Sequence, residues 1–125
     1  MTERELKQRT KAFALRALKL IDALPETRSG RILANQLGRS GASVGANYRS
    51  ACRFRSAEMA SKLAVVGEEA DESAFWLELI SEHGLLPPPK VEPLHREAGE
   101  LTAIMVASRR TIAANNRKSR IEDRK

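Results

Sequence analysis

Four arginines, spaced so that they share one side of a helix, are the residues of this sequence best suited to chemistry. They are Arg31, Arg39, Arg49 and Arg53. At about 100° per residue they fall within an arc of roughly 80°, opposite an apolar stripe that runs from Leu33 to Ala51. Guanidinium groups bind phosphate oxygens through paired hydrogen bonds, so the pattern indicates a ridge that contacts a phosphate backbone. The alternative is a solvated outer face whose arginines form ion pairs.

Charge is distributed unevenly along the chain. The net charge is +6, from 22 Lys and Arg against 16 Asp and Glu. Residues 1–55 carry +8, residues 56–100 carry −7 and residues 101–125 carry +5. The basic segments predict a surface that attracts polyanions. Further basic residues expected to support the arginine ridge are Lys11, Arg16, Arg109 and Arg110. The alternative is that the acidic segment neutralises the basic one.

Polar residues next to the apolar stripes form a second candidate group. Three lie together on one side of the segment that carries the ridge, and two carboxylates lie beside the stripe of the next segment. The five are Gln36, Ser43, Asn47, Glu69 and Glu72. A carboxylate pair can serve in acid–base catalysis, but no histidine or nucleophile accompanies it at a suitable spacing. We therefore predict a buried hydrogen-bond network that fixes helix register, and no catalytic site.

Metal, cofactor and secretion signals are weak in this sequence. His83, His95 and Cys52 lack metal-ligand spacing, so neither a metal site nor a cofactor is expected. A single cysteine forms no intramolecular disulfide and suits a reducing compartment. The first ten residues alternate in charge, unlike a secretory signal, and no apolar run approaches the roughly 20 residues that span a bilayer. A cytoplasmic protein without membrane contact is the expectation.

The elements that must position these residues follow from heptad spacing of apolar side chains. Four such stripes predict helices over residues 3–24, 30–54, 57–83 and 93–114. Short connections make successive helices antiparallel, so the predicted fold is all-α, an antiparallel up-down four-helix bundle spanning residues 1–114. Residues 115–125 lose the apolar stripe and are predicted to form a basic, frayed tail.

Local signals define the ends of the predicted helices. Thr2 and Glu5 form a capping box before the first helix, and Ser29 is the expected N-cap of the second. Ser56 is the candidate cap of the third helix. Pro93 suits the first position of the fourth helix, because proline lacks the amide hydrogen that this position leaves unused.

The second predicted helix contains three glycines within a stretch of eight residues. Gly38, Gly41 and Gly45 each cost about 1 kcal/mol relative to alanine in a helix interior. Glycines present in spite of this cost predict that another helix packs closely against this one, either within the bundle or from a second subunit. Whether the helix bends at Ser40 and Gly41 is left open by the sequence.

Two segments of this sequence carry a family resemblance. They are QLGRSGASVGANYRS at residues 36–50 and EEADESAFWLEL at residues 68–79. Together they resemble the bacterial four-helix bundle proteins encoded within 23S ribosomal RNA intervening sequences, a family related to the accessory protein of diversity-generating retroelements. The resemblance extends from about residue 13 to residue 112. The family's characteristic polar residues fall on Arg39, Ser40, Ser43, Asn47, Glu69 and Glu72.

The resemblance implies a homo-oligomer, a pentameric barrel of bundles with a basic surface. In the retroelement relative, that surface binds nucleic acid and a reverse transcriptase. This sequence departs from the family at Tyr48, Arg49 and Ser50, where the family often has a glutamate. The departure removes an acidic group and makes this part of the helix more basic.

These observations predict a non-enzymatic, oligomeric module whose basic surface binds structured RNA or an RNA–protein complex. Low sequence specificity is expected, because few side chains are suited to reading base edges. The alternative is a protein-interaction scaffold in which the basic second helix pairs with the acidic third helix of a neighbouring subunit and no nucleic acid is bound.

Overall fold

The computed structural model describes residues 1–123, which form four α-helices and no strand. They are α1 (Glu3–Asp22), α2 (Arg28–Ala51), α3 (Ser56–Glu82) and α4 (Pro88–Asp123). Each helix packs against the next one along the chain, and α1 closes the ring with a smaller contact to α4. The predicted all-α fold, an antiparallel four-helix bundle, is confirmed.

The core consists of the apolar stripes that heptad spacing identified. Phe13 of α1, Leu37 of α2, Leu77 of α3 and Leu101 of α4 are each fully buried. Two aromatic rings, Phe13 and Tyr48, and many aliphatic side chains fill the interior, as expected for a sequence with 4% aromatic residues. Their burial supplies the main driving force for holding the helices together.

Threonines cap the first two helices. Thr2 Oγ1 accepts a hydrogen bond from the Glu5 amide at 3.1 Å, which confirms the predicted cap of α1. At α2 the predicted cap was wrong, because Thr27 and not Ser29 takes the extended backbone and accepts from the Gly30 amide at 3.0 Å. As a result α2 begins two residues before its predicted start. It also ends at Ala51, three residues before the predicted end.

Two predictions about α3 and α4 were wrong. Ser56 does not cap α3 but is its first residue, with a left-handed φ of 56°. Pro93 lies inside α4, which begins at Pro88. The first turn of α4 contains two prolines, and it loses no hydrogen bond because backbone amides there have no acceptor within the helix. The helix can therefore start before Pro93.

The prediction of a frayed tail was also wrong for residues 115–123, which continue α4. Residues 124 and 125 of that predicted tail lie outside the described residues. Residues 106–122 of α4 contain no buried side chain, although Ile112 packs against the core.

Glycines set the distance between α1 and α2. A methyl group added at Gly41 would lie 2.7 Å from the Cβ of Ala17, and one at Gly45 would lie 3.2 Å from the Thr10 carbonyl oxygen. Both glycines therefore allow α1 to approach α2 more closely than alanine would. Of the two expected uses of these glycines, the structure shows close packing within the bundle.

Candidate nucleic-acid interface

The antiparallel arrangement brings distant basic segments to one end of the bundle. This basic end is where α1 begins, α2 ends, α3 begins and α4 ends, and it comprises residues 1–11, 47–65 and 108–123. These residues contain thirteen Lys and Arg and five Asp and Glu, a net charge of +8. The charge of the described remainder, residues 12–46 and 66–107, is −4. The positive charge of the molecule is therefore concentrated at one end.

An open groove between α1 and α2 adjoins the basic end. Its volume is about 400 Å³, and three cationic side chains surround it: Lys7, Lys11 and Arg49. Small residues make up the rest of its lining, namely Ala14, Ala42, Gly45 and Ala46. The α1–α2 groove thus leaves room for an anion within reach of three positive charges. The sequence identified Lys11 and Arg49, and the structure brings them together with Lys7.

Lys7 was not among the predicted interface residues, although Lys11 of the same helix was. Position 7 is one turn before Lys11, so a helical wheel of α1 alone places both lysines on one side. The position of that side relative to Arg49 depends on how closely α1 packs against α2. The glycines of α2 set this distance, and the sequence gives no measure of it.

Arg39 lies away from this groove and pairs with α3. Its Nη2 donates to Glu72 Oε1 at 2.5 Å, and its Nη1 donates to Glu69 Oε2 at 3.3 Å. The hydrogen bond that Arg39 donates to Glu72, together with the charges of both carboxylates, raises the pKa of Arg39. The structure therefore separates Arg39 from the other arginines of the expected ridge and uses it to join α2 to α3.

The five residues expected to form one polar network lie in separate groups. Glu69 and Glu72 bind Arg39, while Asn47 Nδ2 donates to Ser43 Oγ at 2.6 Å and to the Ser43 carbonyl oxygen at 2.9 Å. Gln36 is half-buried on α2. The Asn47 bonds lie within one helix, so they do not join α2 to α3 as the prediction required.

A buried serine pair joins α2 to α3 instead. Ser73 Oγ lies 2.8 Å from Ser40 Oγ and 2.8 Å from the Glu69 carbonyl oxygen, and both serines are fully buried. The signal was present in the sequence, since both serines interrupt otherwise apolar stripes at core positions. Two hydroxyls that satisfy each other at a helix interface fix the register of α2 against α3.

Some of the remaining predicted basic residues lie at the basic end, and others lie outside it. Arg53 follows the end of α2, and Arg109 and Arg110 lie on the last third of α4, all at the basic end. Arg31 lies at the start of α2, where its Nη1 is 3.4 Å from the Glu26 carbonyl oxygen. Arg16 lines a groove of about 430 Å³ between α1 and α4, together with Lys19 and Lys90. Arg16 and Arg31 are therefore remote from the α1–α2 groove.

A second ion-pair cluster joins α1 to α4. Arg9 donates from Nε to Glu97 Oε2 at 2.7 Å and from Nη2 to Glu97 Oε1 at 2.6 Å, and its Nη2 also reaches Glu100 at 2.5 Å. The bonds from Arg9 lower the pKa of Glu97. No periodicity in the sequence distinguished Arg9 from the other basic residues of α1, so this cluster was not predicted.

Groups suited to catalysis or metal binding are scattered. Burial raises the pKa of the Cys52 thiol, so it is protonated at neutral pH and is a poor nucleophile. His95 Nε2 lies 2.9 Å from Glu78 Oε2 at the surface, far along the chain from Cys52. Within residues 1–123, no group of three or more metal-binding side chains is clustered. In the same residues, no helix is long and apolar enough to cross a membrane.

Comparison with known proteins agrees with the family resemblance. A family model described as "23S rRNA-intervening sequence protein" matches residues 2–107. A crystal structure of a protein of unknown function from the S23 ribosomal protein family of Bacteroides thetaiotaomicron is 28% identical, with a TM-score of 0.75. The similarity covers 82% of this chain and 95% of that protein.

Comparison with curated proteins found no match. No enzymatic family is indicated by the matches that were found. Because the family model covers most of the chain, including both motif segments, the chain belongs to the 23S rRNA-intervening sequence protein family.

Proposed function

We propose that this protein is a non-enzymatic, oligomeric binding module that holds structured RNA, or an RNA–protein complex, at its basic end. The observation that carries the proposal is the convergence of three basic chain segments next to the α1–α2 groove. A net charge of +8 on one end of a small bundle attracts the phosphate backbone from a distance.

The α1–α2 groove is the centre of the proposed interface. Lys7, Lys11 and Arg49 are all exposed at its rim, and its floor of alanine and glycine lets a phosphate approach the helices. Each phosphate contact releases condensed counterions, so affinity falls steeply as salt increases. Phosphate contacts do not read sequence, so discrimination between RNAs follows shape more than base identity.

Self-association is the second part of the proposal. Three large apolar side chains are exposed on the first two helices: Leu15 at 51% and Leu18 at 47% on α1, and Ile32 at 61% on α2. Their burial between subunits is favourable, and the family resemblance suggests a pentamer. Repetition of the basic end around an oligomer multiplies phosphate contacts and raises avidity without any new kind of contact.

A charge reversal in the α1–α2 groove tests the RNA interface. The variant Lys11→Glu with Arg49→Glu is compared with Lys19→Glu with Arg28→Glu, which changes the net charge equally but lies at the opposite end of α1 and α2. Fluorescence anisotropy with a labelled RNA hairpin of roughly 20 base pairs gives affinity as a function of salt.

We expect the groove variant to lose at least about ten-fold in affinity and the control variant to stay within about two-fold of wild type, since steering by net charge alone is weaker than direct contact. Equal losses in both variants would assign the binding to net charge and not to the groove. An absence of RNA binding by the wild-type protein at low salt would refute the proposed function.

A second function, the protein-interaction scaffold, is favoured by one observation on α3. Phe75 is 50% exposed and lies among carboxylates of the same helix, which suits a contact with a basic protein surface. Arg39 is already paired with Glu69 and Glu72 of its own subunit, so this scaffold would need other arginines. Sedimentation in high salt discriminates the two functions, because a charge-paired assembly dissociates while its helices persist.

A further inference from the structure

The last part of α4 extends beyond the residues that the family model matches. The family model ends at residue 107, while α4 continues for 16 more residues to Asp123. This segment, residues 108–123, is named the α4 arm here. It contains five of the basic residues at the basic end: Arg109, Arg110, Arg117, Lys118 and Arg120.

The α4 arm projects past the helix against which it packs. A methyl group at Gly67 of α3 would lie 3.4 Å from the Met105 Cβ of α4, so these two residues are level in the bundle. Because the helices are antiparallel and α3 starts 11 residues before Gly67, α4 passes the start of α3 near Asn116. At about 1.5 Å per residue, the seven residues that follow project roughly 10 Å from the bundle.

Three arginines of the arm share one side of it. At about 100° per residue, Arg110, Arg117 and Arg120 fall within an arc of roughly 80° and span about 15 Å along the helix. All three are exposed. None of the ion pairs found among the side chains of residues 1–122 involves them. Their guanidinium groups are therefore available to an external anion.

The chemistry of this side favours a phosphate backbone over a protein surface. Stable protein interfaces usually have a well-packed, desolvated centre, and Ile121 is the one large exposed hydrophobic residue of the described arm. A row of guanidinium groups on a regular helix instead matches a linear array of phosphates. The arm also projects from the same end of the bundle as Lys7 and Arg49, so one RNA can contact both elements.

We infer that the α4 arm is a second phosphate-binding element, which grips the RNA backbone outside the α1–α2 groove and lengthens the bound segment. The inference rests on the proposed function, because it assigns a further part of the same interface. The arm lies beyond the residues matched by the family model, so membership of the family does not by itself imply this contact.

Charge-neutral substitution tests the arm without removing it. The variant Arg110→Gln, Arg117→Gln, Arg120→Gln retains good helix formers and loses three charges. The matched control neutralises three exposed residues away from the basic end, as Lys19→Gln, Arg28→Gln, Lys90→Gln. Anisotropy titrations of the RNA hairpin from low to high salt compare both variants with wild type, and sedimentation velocity without RNA compares their oligomeric state.

We expect the arm variant to reduce the slope of log affinity against log salt by two to three units, because each lost contact removes about 0.9. If the two proteins have equal affinity near 1 M salt, a slope smaller by two units makes the affinity of the arm variant at 0.1 M salt about 100-fold lower than that of wild type. The control should keep the wild-type slope. If wild type binds and the arm variant binds equally well, the arm inference is overturned and the proposed function stands.

Two other outcomes also decide the matter. If wild type does not bind RNA at low salt, the proposed function fails together with the inference. If the arm variant loses self-association while its RNA affinity per subunit is unchanged, the arm contacts the acidic surface of a second copy, and the inference is overturned. The arm variant must show wild-type helicity by circular dichroism in each comparison, which Gln at exposed positions is expected to preserve.

Discussion

Replacement of Gly41 by alanine is expected to destabilise the bundle, although alanine is the better helix former. Gly41 is buried where α2 crosses α1, and the added methyl group would lie 2.7 Å from the Cβ of Ala17. Two carbon atoms pack favourably at about 3.5–4.0 Å. The helices must therefore separate by about 1 Å, or one backbone must distort.

The magnitude follows from two opposed contributions. Overpacking of a well-packed interior costs about 1–3 kcal/mol. Removal of a glycine from a helix interior stabilises the folded state by about 1 kcal/mol. The free energy of unfolding of Gly41→Ala should therefore fall by about 1 kcal/mol, and by at most about 2 kcal/mol.

Gly99→Ala is the matched control for this substitution. Gly99 is exposed in α4, and apart from its chain neighbours and the adjacent backbone of α4 no atom lies within 4 Å of the position that its Cβ would take. It gains the helix propensity without the collision, so it should raise the free energy of unfolding by about 1 kcal/mol. The two substitutions are then expected to have opposite signs, and their difference gives the steric cost at Gly41.

Urea unfolding followed by circular dichroism provides the measurement, at one fixed subunit concentration because oligomerisation contributes to stability. A double-mutant cycle with Ala17→Gly isolates the contact. That change should be costly in wild type but less costly in Gly41→Ala, where it removes the colliding methyl group. If Gly41→Ala were as stabilising as Gly99→Ala, or if the cycle showed no coupling, close packing of α1 on α2 would not limit stability.

Three further predictions concern other contacts. Ser73→Ala should lower the free energy of unfolding by about 1 kcal/mol because it leaves the buried Ser40 hydroxyl with only its long bond to the Leu37 carbonyl oxygen, and Ser40→Ala in that background should cost less than it does alone in thermal unfolding. Arg9→Gln should destabilise the protein at neutral pH. Arg9 lowers the pKa of Glu97 in the folded state, so the ion pair stabilises the protein above pH 4.5 and this contribution is lost as the pH falls through the lowered pKa. The urea midpoints of Arg9→Gln and wild type should therefore converge in acid, and a gap that persisted there would contradict this account. Ser56→Gly should stabilise by up to about 1 kcal/mol because the left-handed φ of 56° suits glycine, and an unchanged urea midpoint would show that the serine is not strained.

The arrangement of helices was predictable because heptad spacing and burial have a common physical cause. A stripe of apolar residues must be covered, and four stripes of similar length cover one another in an up-down bundle. Helix ends were less predictable. Thr27 and Ser29 are both able to cap α2, and the choice depends on the turn after Pro25, where the Thr27 amide bonds the Pro25 carbonyl oxygen at 2.9 Å.

The candidate site was predictable in its residue types and less so in its grouping. A helical wheel gives the angle of Arg39 about the axis of α2, but a long guanidinium side chain can reach the carboxylates of a neighbouring helix. The helical wheel also gives no information on the distance between α1 and α2, and it is their close packing that brings Lys7 next to Arg49. The extension of α4 was missed because an exposed, polar helix has no apolar stripe by which to recognise it.

The uneven placement of charge also gives the molecule an electric dipole along the bundle axis. Antiparallel helices cancel their own macrodipoles in pairs, so this dipole arises from side chains. In the field of a polyanion such a molecule rotates before contact, with its basic end leading, and orientation of this kind speeds productive encounters at low ionic strength. Ion exchange would reveal the same property, because the protein should bind a cation-exchange resin more tightly than a net charge of +6 implies.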